Sequence, residues 1–125
     1  MKMSAMFRLI LVGMTVTAIQ RAEAASAVAY APGGHIITSR GQFSKEIAEQ
    51  HALTTARQQY GASARLIAAS DVEGYCAIVV GRKGTGLVNG IALGRSSRVE
   101  AERLAVEACL KAGGTQPKVR WEWYG

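Results

Sequence analysis

The sequence predicts an α+β fold: a duplicated β-β-α-β unit with one or more antiparallel sheets and two helices packed on one side. The first observation is that Gly94–Gly114 (GRSSRVEAERLAVEACLKAGG) has the apolar spacing of a helix. The second is that this stretch aligns without a gap on Gly41–Gly61 (GQFSKEIAEQHALTTARQQYG), which pairs Ser97 with Ser44 at an offset of 53 (97 minus 44). Short strand-like runs flank both stretches. Internal repetition of this kind predicts two equivalent structural units.

The start of the chain is interpreted as a secretory signal peptide. Lys2 and Arg8 precede the apolar run Leu9–Met14, and Ala22-Glu23-Ala24 is a small-x-small cleavage pattern. We expect a cut before Ala25, with a cut after Ala25 or Ala27 as the close alternative and an uncleaved amphipathic anchor as the other interpretation. The remaining chain is then a single domain made of two repeats, about 25–71 and 75–125, with no transmembrane segment and a location in the periplasm or outside the cell.

The charge of the mature chain is modest. The full sequence has 15 Lys and Arg against 9 Asp and Glu, a net charge of +6. Removing residues 1–24 leaves 12 basic and 8 acidic residues (12 minus 8 is +4). Because the basic residues are scattered along the chain, nucleic-acid binding is not favoured.

Turn and cap residues divide the first unit. Pro32-Gly33-Gly34 predicts a turn between strands at 25–31 and 35–39. Ser44 is a suitable N-cap and Gly61 a suitable end for a helix of about 45–60, and a strand at 65–69 follows.

The second unit repeats this order. The apolar strand 75–80 is followed by a turn at Gly81–Gly86 (GRKGTG) and a return strand at 87–93. Ser97 and Glu100 form a capping-box pattern for a helix at 98–112, which ends before Gly113-Gly114. The last strand is predicted at 118–124.

Two cysteines remain after the expected cleavage. In an oxidising compartment, Cys76 and Cys109 are predicted to form one disulfide that pins the second helix across its sheet. A catalytic thiol is the alternative, but it needs a base, and His35 and His51 are both in the other unit. These two separated histidines do not predict a metal site.

Two further patterns could carry chemistry. The glycines of GRKGTG, with Arg82 and Lys83, could bind an anion, but a strand rather than a helix follows them, so a hairpin turn is preferred. Glu49 and Glu102 occupy equivalent places in the two helices, where a glutamate near a helix N-terminus is favoured by the helix dipole. We therefore predict no catalytic residues and no cofactor.

The last strand is aromatic. Trp121 and Trp123 alternate with charged residues and so lie on one face. We expect that face to close the core beneath the alanine-lined helix, with Trp121 in the core. Trp123 and Tyr124, nearer the strand end, are the candidates for a binding surface, together with Arg82 and Lys83.

The mature chain resembles a family of small exported bacterial proteins classified as a domain of unknown function in the forty-one-hundreds series. The resemblance is carried by A-V-A-Y before a glycine turn, S-x-x-x-A-E-x-x-A in each helix, G-Y-C-A-I-V-V, and Cys109 late in a helix. It covers most of 27–110 and implies export and a compact α+β fold, without an activity. The chain departs from the family pattern by lacking further cysteines. A local similarity to the peptidoglycan-binding repeat of cell-division proteins covers the second helix alone.

These observations predict a non-enzymatic exported binding protein, such as an inhibitor or immunity-type protein that acts on another envelope or secreted protein. The alternative is a cell-wall or glycan-binding module that uses the tryptophan strand and binds peptidoglycan.

Overall fold

The computed structural model describes residues 24–125, and the predicted signal peptide lies almost wholly outside them. The α+β class is confirmed, and both helices agree with their predicted bounds to within one residue. The first strand has its predicted bounds, and the other five are longer than predicted because their ladders continue into the flanking turns. The elements are β1 Ala25–Ala31, β2 His35–Gln42, α1 Lys45–Tyr60, β3 Arg65–Ser70, β4 Tyr75–Lys83, β5 Gly86–Arg95, α2 Arg98–Lys111 and β6 Thr115–Tyr124.

The strands form two three-stranded sheets, one from each half of the chain. The order is β2-β1-β3 in the first sheet and β5-β4-β6 in the second, and every pair is antiparallel. The first strand of each half is therefore central, with the hairpin partner on one side and the strand after the helix on the other. The GRKGTG stretch forms a hairpin turn between β4 and β5, as predicted.

Serine hydroxyls cap both helices. Ser44 accepts a hydrogen bond from the backbone N–H of Ile47, and Ser97 accepts one from the N–H of Glu100. The predicted capping box is only half formed, because the Glu100 carboxylate accepts hydrogen bonds from the N–H and hydroxyl of Ser96 instead of reaching Ser97. Ser96 offers the carboxylate two donors, its N–H and its hydroxyl, whereas the backbone of Ser97 would offer one. The carboxylate therefore binds Ser96.

Small residues line the helix faces that pack on the sheets. The buried residues of α1 are Ala48, Ala52 and Ala56, and those of α2 are Ala101, Ala105 and Cys109, at the same offset of 53 (101 minus 48). Such small side chains allow the helix backbone to approach the sheet closely. At Gly90 of β5 the approach is so close that an added Cβ would clash with the carbonyl oxygen of Ala105.

The sheet faces that point away from the helices are buried as well. Ala27 and Ala29 contact α1, so the alternating Val28 points to the other side of β1, and it is 0% exposed. Ile78 of β4 is in the same position in the second sheet and is also 0% exposed. These inner faces cover each other, so the layers run helix, sheet, sheet, helix. Each helix covers the outer side of its own sheet, so the two helices lie on opposite sides of the molecule and not on one common side as predicted.

The two hairpins differ in length, and this difference exposes part of an inner face. The β1–β2 ladder ends with Ala31 opposite His35. In the second sheet the equivalent pair is Gly81 with Val88, and the ladder continues with Arg82 opposite Leu87 and Lys83 opposite Gly86. Two additional pairs lengthen the hairpin by about 7 Å. The second sheet therefore projects beyond the first at this end.

Candidate functional site

The projecting end of the β4–β5 hairpin is the candidate functional site. Arg82 and Leu87 pair across the hairpin and follow Val80 and Asn89 on the inner face of the sheet. Elsewhere the opposing sheet covers this face, but here the shorter hairpin ends at Gly33-Gly34. Leu87 is therefore 54% exposed. A Cβ added to Gly34 would lie 3.9 Å from a methyl carbon of Leu87, so the two hairpins are close together here.

Three cavities meet at Leu87. One of about 450 Å³ opens between β3 and β5, where its lining includes Ile67, Ala68 and Ile91. A second of about 410 Å³ lies between the two hairpin turns, and a third of about 330 Å³ lies against β6. Leu87 lines all three, and Tyr30 lines the first two. The hairpin end is thus a concave surface with an apolar centre.

The lining of this surface is basic. Arg65 lies in the first cavity, and Arg82, Lys118 and Arg120 lie in the third. Along residues 24–125, no carboxylate lines these three cavities, and none of the four cations forms an ion pair. Cations gathered without counter-charges favour binding of an anionic group. We refer to the following residues as the tip site: Tyr30, Arg65, Arg82, Leu87, Lys118 and Arg120.

The backbone beside the tip site is strained at one position. Gln116 has φ of 53°, and it is the one non-glycine residue with positive φ between 24 and 125. It lines the same cavity as Arg82 and Lys118. The hydroxyl of Thr115 donates a hydrogen bond to the Arg82 carbonyl at 3.3 Å, which ties the start of β6 to the hairpin. Strained residues of this kind concentrate at functional sites.

Only one of the predicted binding residues belongs to the tip site. Arg82 does, whereas the neighbouring Lys83 points to the other side of the sheet, where its side chain lies beside Gly113. Trp123 pairs with Cys76, six residues before Arg82 on β4, and so lies about 20 Å from it. The sequence thus predicted one surface where the structure has two separate ones.

The tryptophans point away from α2, contrary to the prediction that they close the core beneath it. Trp121 pairs with Ile78 and is half-buried on the inner face. The Trp123 indole N–H donates to Oγ of Ser26 in the first sheet, and the Arg40 guanidinium lies 4.1 Å from its ring centroid. Trp123 therefore joins the two sheets, and Tyr124 remains as the exposed aromatic residue of the pair.

The structure does not form the predicted disulfide. Both cysteines are free and buried. The Sγ of Cys109 lies in the layer between α2 and the sheet, directly under Gly81 and Gly114. Cys76 points to the inner face beside Trp123, so β4 itself separates the two sulfur atoms. Burial raises the pKa of both thiols, which makes them poor nucleophiles.

The structure does not bring together the two equivalent helix glutamates. Glu49 lies on α1, on the opposite outer side of the molecule from Glu102 on α2. Glu102 instead meets Glu122 of β6, and Arg98 forms ion pairs with both carboxylates. Sharing a hydrogen bond with Glu102 raises the pKa of Glu122, and the same hydrogen bond lowers the pKa of Glu102. The sequence could not predict the contact between Glu102 and Glu122, because the spacing of residues in a helix gives no information about contacts with a distant strand.

An aromatic cavity lies at the end of the sheet opposite the tip site. Its volume is about 240 Å³, and its lining includes Tyr75, Arg98 and Tyr124. The Tyr75 and Tyr124 rings meet edge to face with centroids 4.9 Å apart. The Tyr124 hydroxyl donates to Glu73 at 3.2 Å.

Residues 24–125 contain no group of three or more histidine, cysteine, aspartate or glutamate side chains placed to hold a metal ion. Neither described helix has the length and apolar character needed to cross a bilayer.

Comparison with known proteins identifies one family. A family model described as a domain of unknown function (DUF4189) matches residues 25–122, which include β1 and nearly all of β6. This confirms the resemblance found in the sequence. No curated protein matches the chain. No solved structure matches it either.

Proposed function

Because the chain belongs to the DUF4189 family, whose function is unknown, we propose its role from its own surface: it is an exported, non-enzymatic protein that binds an acidic surface of another envelope or secreted protein. The observation that carries the proposal is the uncompensated basic lining of the tip site around exposed Leu87. Binding surfaces commonly combine an apolar centre with charged groups that select the partner. An inhibitor or immunity-type protein acts in this way.

The residues of the tip site are suited to binding and not to catalysis. They are cations, an aromatic ring and an aliphatic side chain, with no nucleophile and base within reach of one another. The Arg65 guanidinium stacks over the Tyr30 ring at 5.2 Å, which positions one cation at the cavity mouth. Arginine held in this way is well placed to pair with a carboxylate.

Export and duplication are part of the same proposal. The charged and apolar leader ending in Ala22-Glu23-Ala24 supports secretion. Both halves of the chain have the order strand, strand, helix, strand, and the buried residues of the two helices are 53 positions apart. These two features support a single domain made of two repeats. We expect mass spectrometry of protein recovered from cells to find an N-terminus near Ala25. Recovery of intact Met1 in the envelope fraction would contradict export with cleavage.

A pull-down with charge-reversed variants tests the proposed function. The tagged protein is incubated with envelope extract of its own organism, beside Lys118→Glu at the tip site and Lys45→Glu at the start of α1. The two changes are chemically identical, but Lys45 lies at the other end of the molecule. We expect a captured protein that Lys118→Glu loses and Lys45→Glu retains. Equal capture by all three proteins would refute the tip site as the binding surface.

A glycan-binding role is the second candidate, and the aromatic cavity favours it. Exposed tyrosines such as Tyr75 and Tyr124 can stack on a sugar ring, and Arg98 beside them can pair with a muramyl or peptide carboxylate. If this role is correct, the protein sediments with purified peptidoglycan, Tyr124→Ala abolishes that binding, and Lys118→Glu leaves it unchanged.

A further inference from the structure

The open edges of β3 and β5 flank the 450 Å³ cavity. Each is the outer strand of its sheet, and no strand among residues 24–125 pairs with the free side of either. The sheets are in contact at one end, where a Cβ added to Gly94 would lie 2.7 Å from the carbonyl oxygen of Val72. Toward Leu87 they separate and the cavity opens. The result is a wedge-shaped cleft between two strand edges.

The β5 edge lacks the features that protect an edge from pairing. Between Leu87 and Leu93 it contains no charged residue and no proline, and its ladder with β4 is regular from Gly86 to Ala92; the register irregularity of this ladder lies beyond, between Ala92 and Arg95. By contrast, the edge strand β6 carries Pro117, Lys118 and Arg120 and has two register irregularities. Charges, prolines and bulges on an edge strand prevent an additional strand from pairing there, so an edge without them is suited to receive one.

The cleft therefore combines three chemical properties: unpaired backbone groups along β5, a cavity with apolar walls beside polar groups, and cations in and next to that cavity. The apolar walls are Ile67, Ala68 and Ile91, and a volume of about 450 Å³ is within the range of pockets that enclose a ligand. A lipid tail has no groups that hydrogen-bond to a row of backbone donors and acceptors, and sugar hydroxyls do not follow the spacing of a strand, whereas the backbone of an extended peptide does.

We infer that the tip site and the β5 edge receive an extended acidic segment of the partner protein, which pairs with β5 and inserts one large apolar side chain into the cavity between β3 and β5. This inference rests on the proposed function and specifies the partner. Acidic residues two positions before and after the apolar one lie on the same face of an extended chain. Arg65 and Arg82 both lie toward the hairpin end of the cleft, so the acidic residue on that side of the apolar one is the one that reaches them.

Synthetic peptides test this inference without altering the protein. The probe is the heptapeptide Glu-Glu-Thr-Leu-Thr-Glu-Glu, and its matched control has alanine in place of leucine. We expect the leucine peptide to bind about tenfold more tightly, since the buried side chain loses contact with water. Two further leucine peptides carry N-methyl groups on alternate backbone nitrogens. One is methylated at the odd-numbered residues and the other at the even-numbered residues. One of them should lose binding and the other retain it, because only one edge of the peptide faces β5.

Protein variants locate the binding and separate the two proposals. Ala68→Leu narrows the cavity and should reduce leucine-peptide binding to the level of the alanine peptide, whereas Ala62→Leu on the exposed loop after α1 should not. Equal binding of the two peptides overturns the inference, and so does retention by both methylated forms. If Arg65→Glu then weakens both unmethylated peptides, the anion-binding role survives; if it weakens neither, the proposed function is refuted as well. Absence of binding at millimolar concentration also overturns the inference, and the pull-down with Lys118→Glu then decides the proposed function on its own.

Discussion

The indole N–H of Trp123 donates a hydrogen bond to Oγ of Ser26 at 3.3 Å, and this bond joins residues 97 positions apart. Ser26 is 2% exposed, so its hydroxyl has no access to water. The bond links β6 of the second sheet to β1 of the first, near the end where Arg40 covers the tryptophan ring. It is one of the few specific polar contacts between the inner faces.

We predict that Trp123→Phe lowers the free energy of unfolding by about 1–2 kcal/mol, because the buried Ser26 hydroxyl loses its donor. Ser26→Ala in the same protein should recover part of that loss, since no polar group then remains unsatisfied. Urea denaturation of the two single variants and the double variant measures the coupling. Strictly additive effects would mean that the hydrogen bond does not stabilise the sheet contact.

The close approach of α2 to β5 gives a second prediction. Gly90→Ala should destabilise the protein by about 3 kcal/mol or more, because the added methyl clashes with the Ala105 carbonyl and meets the Cys109 nitrogen at 2.5 Å. Gly86→Ala is the matched control on the same strand, where the nearest atom is 3.7 Å away. Its effect should stay within about 1 kcal/mol. Similar thermal midpoints for the two variants would contradict this packing.

The cysteines give a third prediction. In the native protein, neither Cys76 nor Cys109 should react with a thiol reagent, because both are buried and burial raises the pKa of each thiol. After unfolding without reductant, both should be labelled. Mass spectrometry of the labelled chain counts the modified residues. An unlabelled unfolded chain would mean that an intramolecular disulfide forms after all and that β4 does not separate the two sulfur atoms.

The fourth prediction concerns pH. Hydrogen bonds from Ser96 and the nearby Arg95 hold the pKa of Glu100 below its ordinary value. A lowered pKa means that the folded state favours the charged form, so Glu100 stabilises the protein above the pKa of the unfolded chain, about 4.3. That contribution disappears as the pH falls through the lower folded-state value.

Comparison with Glu100→Gln measures the effect. At pH 7 the variant should have a lower urea midpoint than the wild type, and the two midpoints should converge as the pH falls through the lowered folded-state pKa of Glu100, because both side chains are then neutral. Arg103→Gln is a control for simple loss of a surface ion pair on the same helix. A gap between Glu100→Gln and wild type that is independent of pH would show that the carboxylate charge does not contribute.

Local signals were sufficient for the helices and hairpins. Ser44, Ser97 and Gly61 marked helix ends because capping depends on neighbouring residues, and these positions were confirmed. The turn at GRKGTG was also predictable, because glycines there favour a hairpin when a strand follows. The structure does not show the predicted pairing of Cys76 with Cys109, because that pairing depends on the direction of a side chain relative to a distant helix.

Of the tip site, the sequence indicated only Arg82. A comparison of the two repeats does carry a further signal: the offset is 50 between Ala31 and Gly81 (81 minus 31) but 53 between His35 and Val88 (88 minus 35). That difference reveals the longer hairpin. It does not reveal that Arg65, from the other sheet, lies beside it.

The sequence by itself determined the element order, the helix caps, the α+β class and the family, because each depends on local pattern. Only the tertiary structure decided which face of each central strand meets a helix. The reason is physical: β1 (ASAVAYA) and the first part of β4 (YCAIVV) are apolar on both faces, so alternation gives no direction. Packing of the second sheet on the first then placed Trp123 between them, separated the cysteines and left Leu87 exposed among cations.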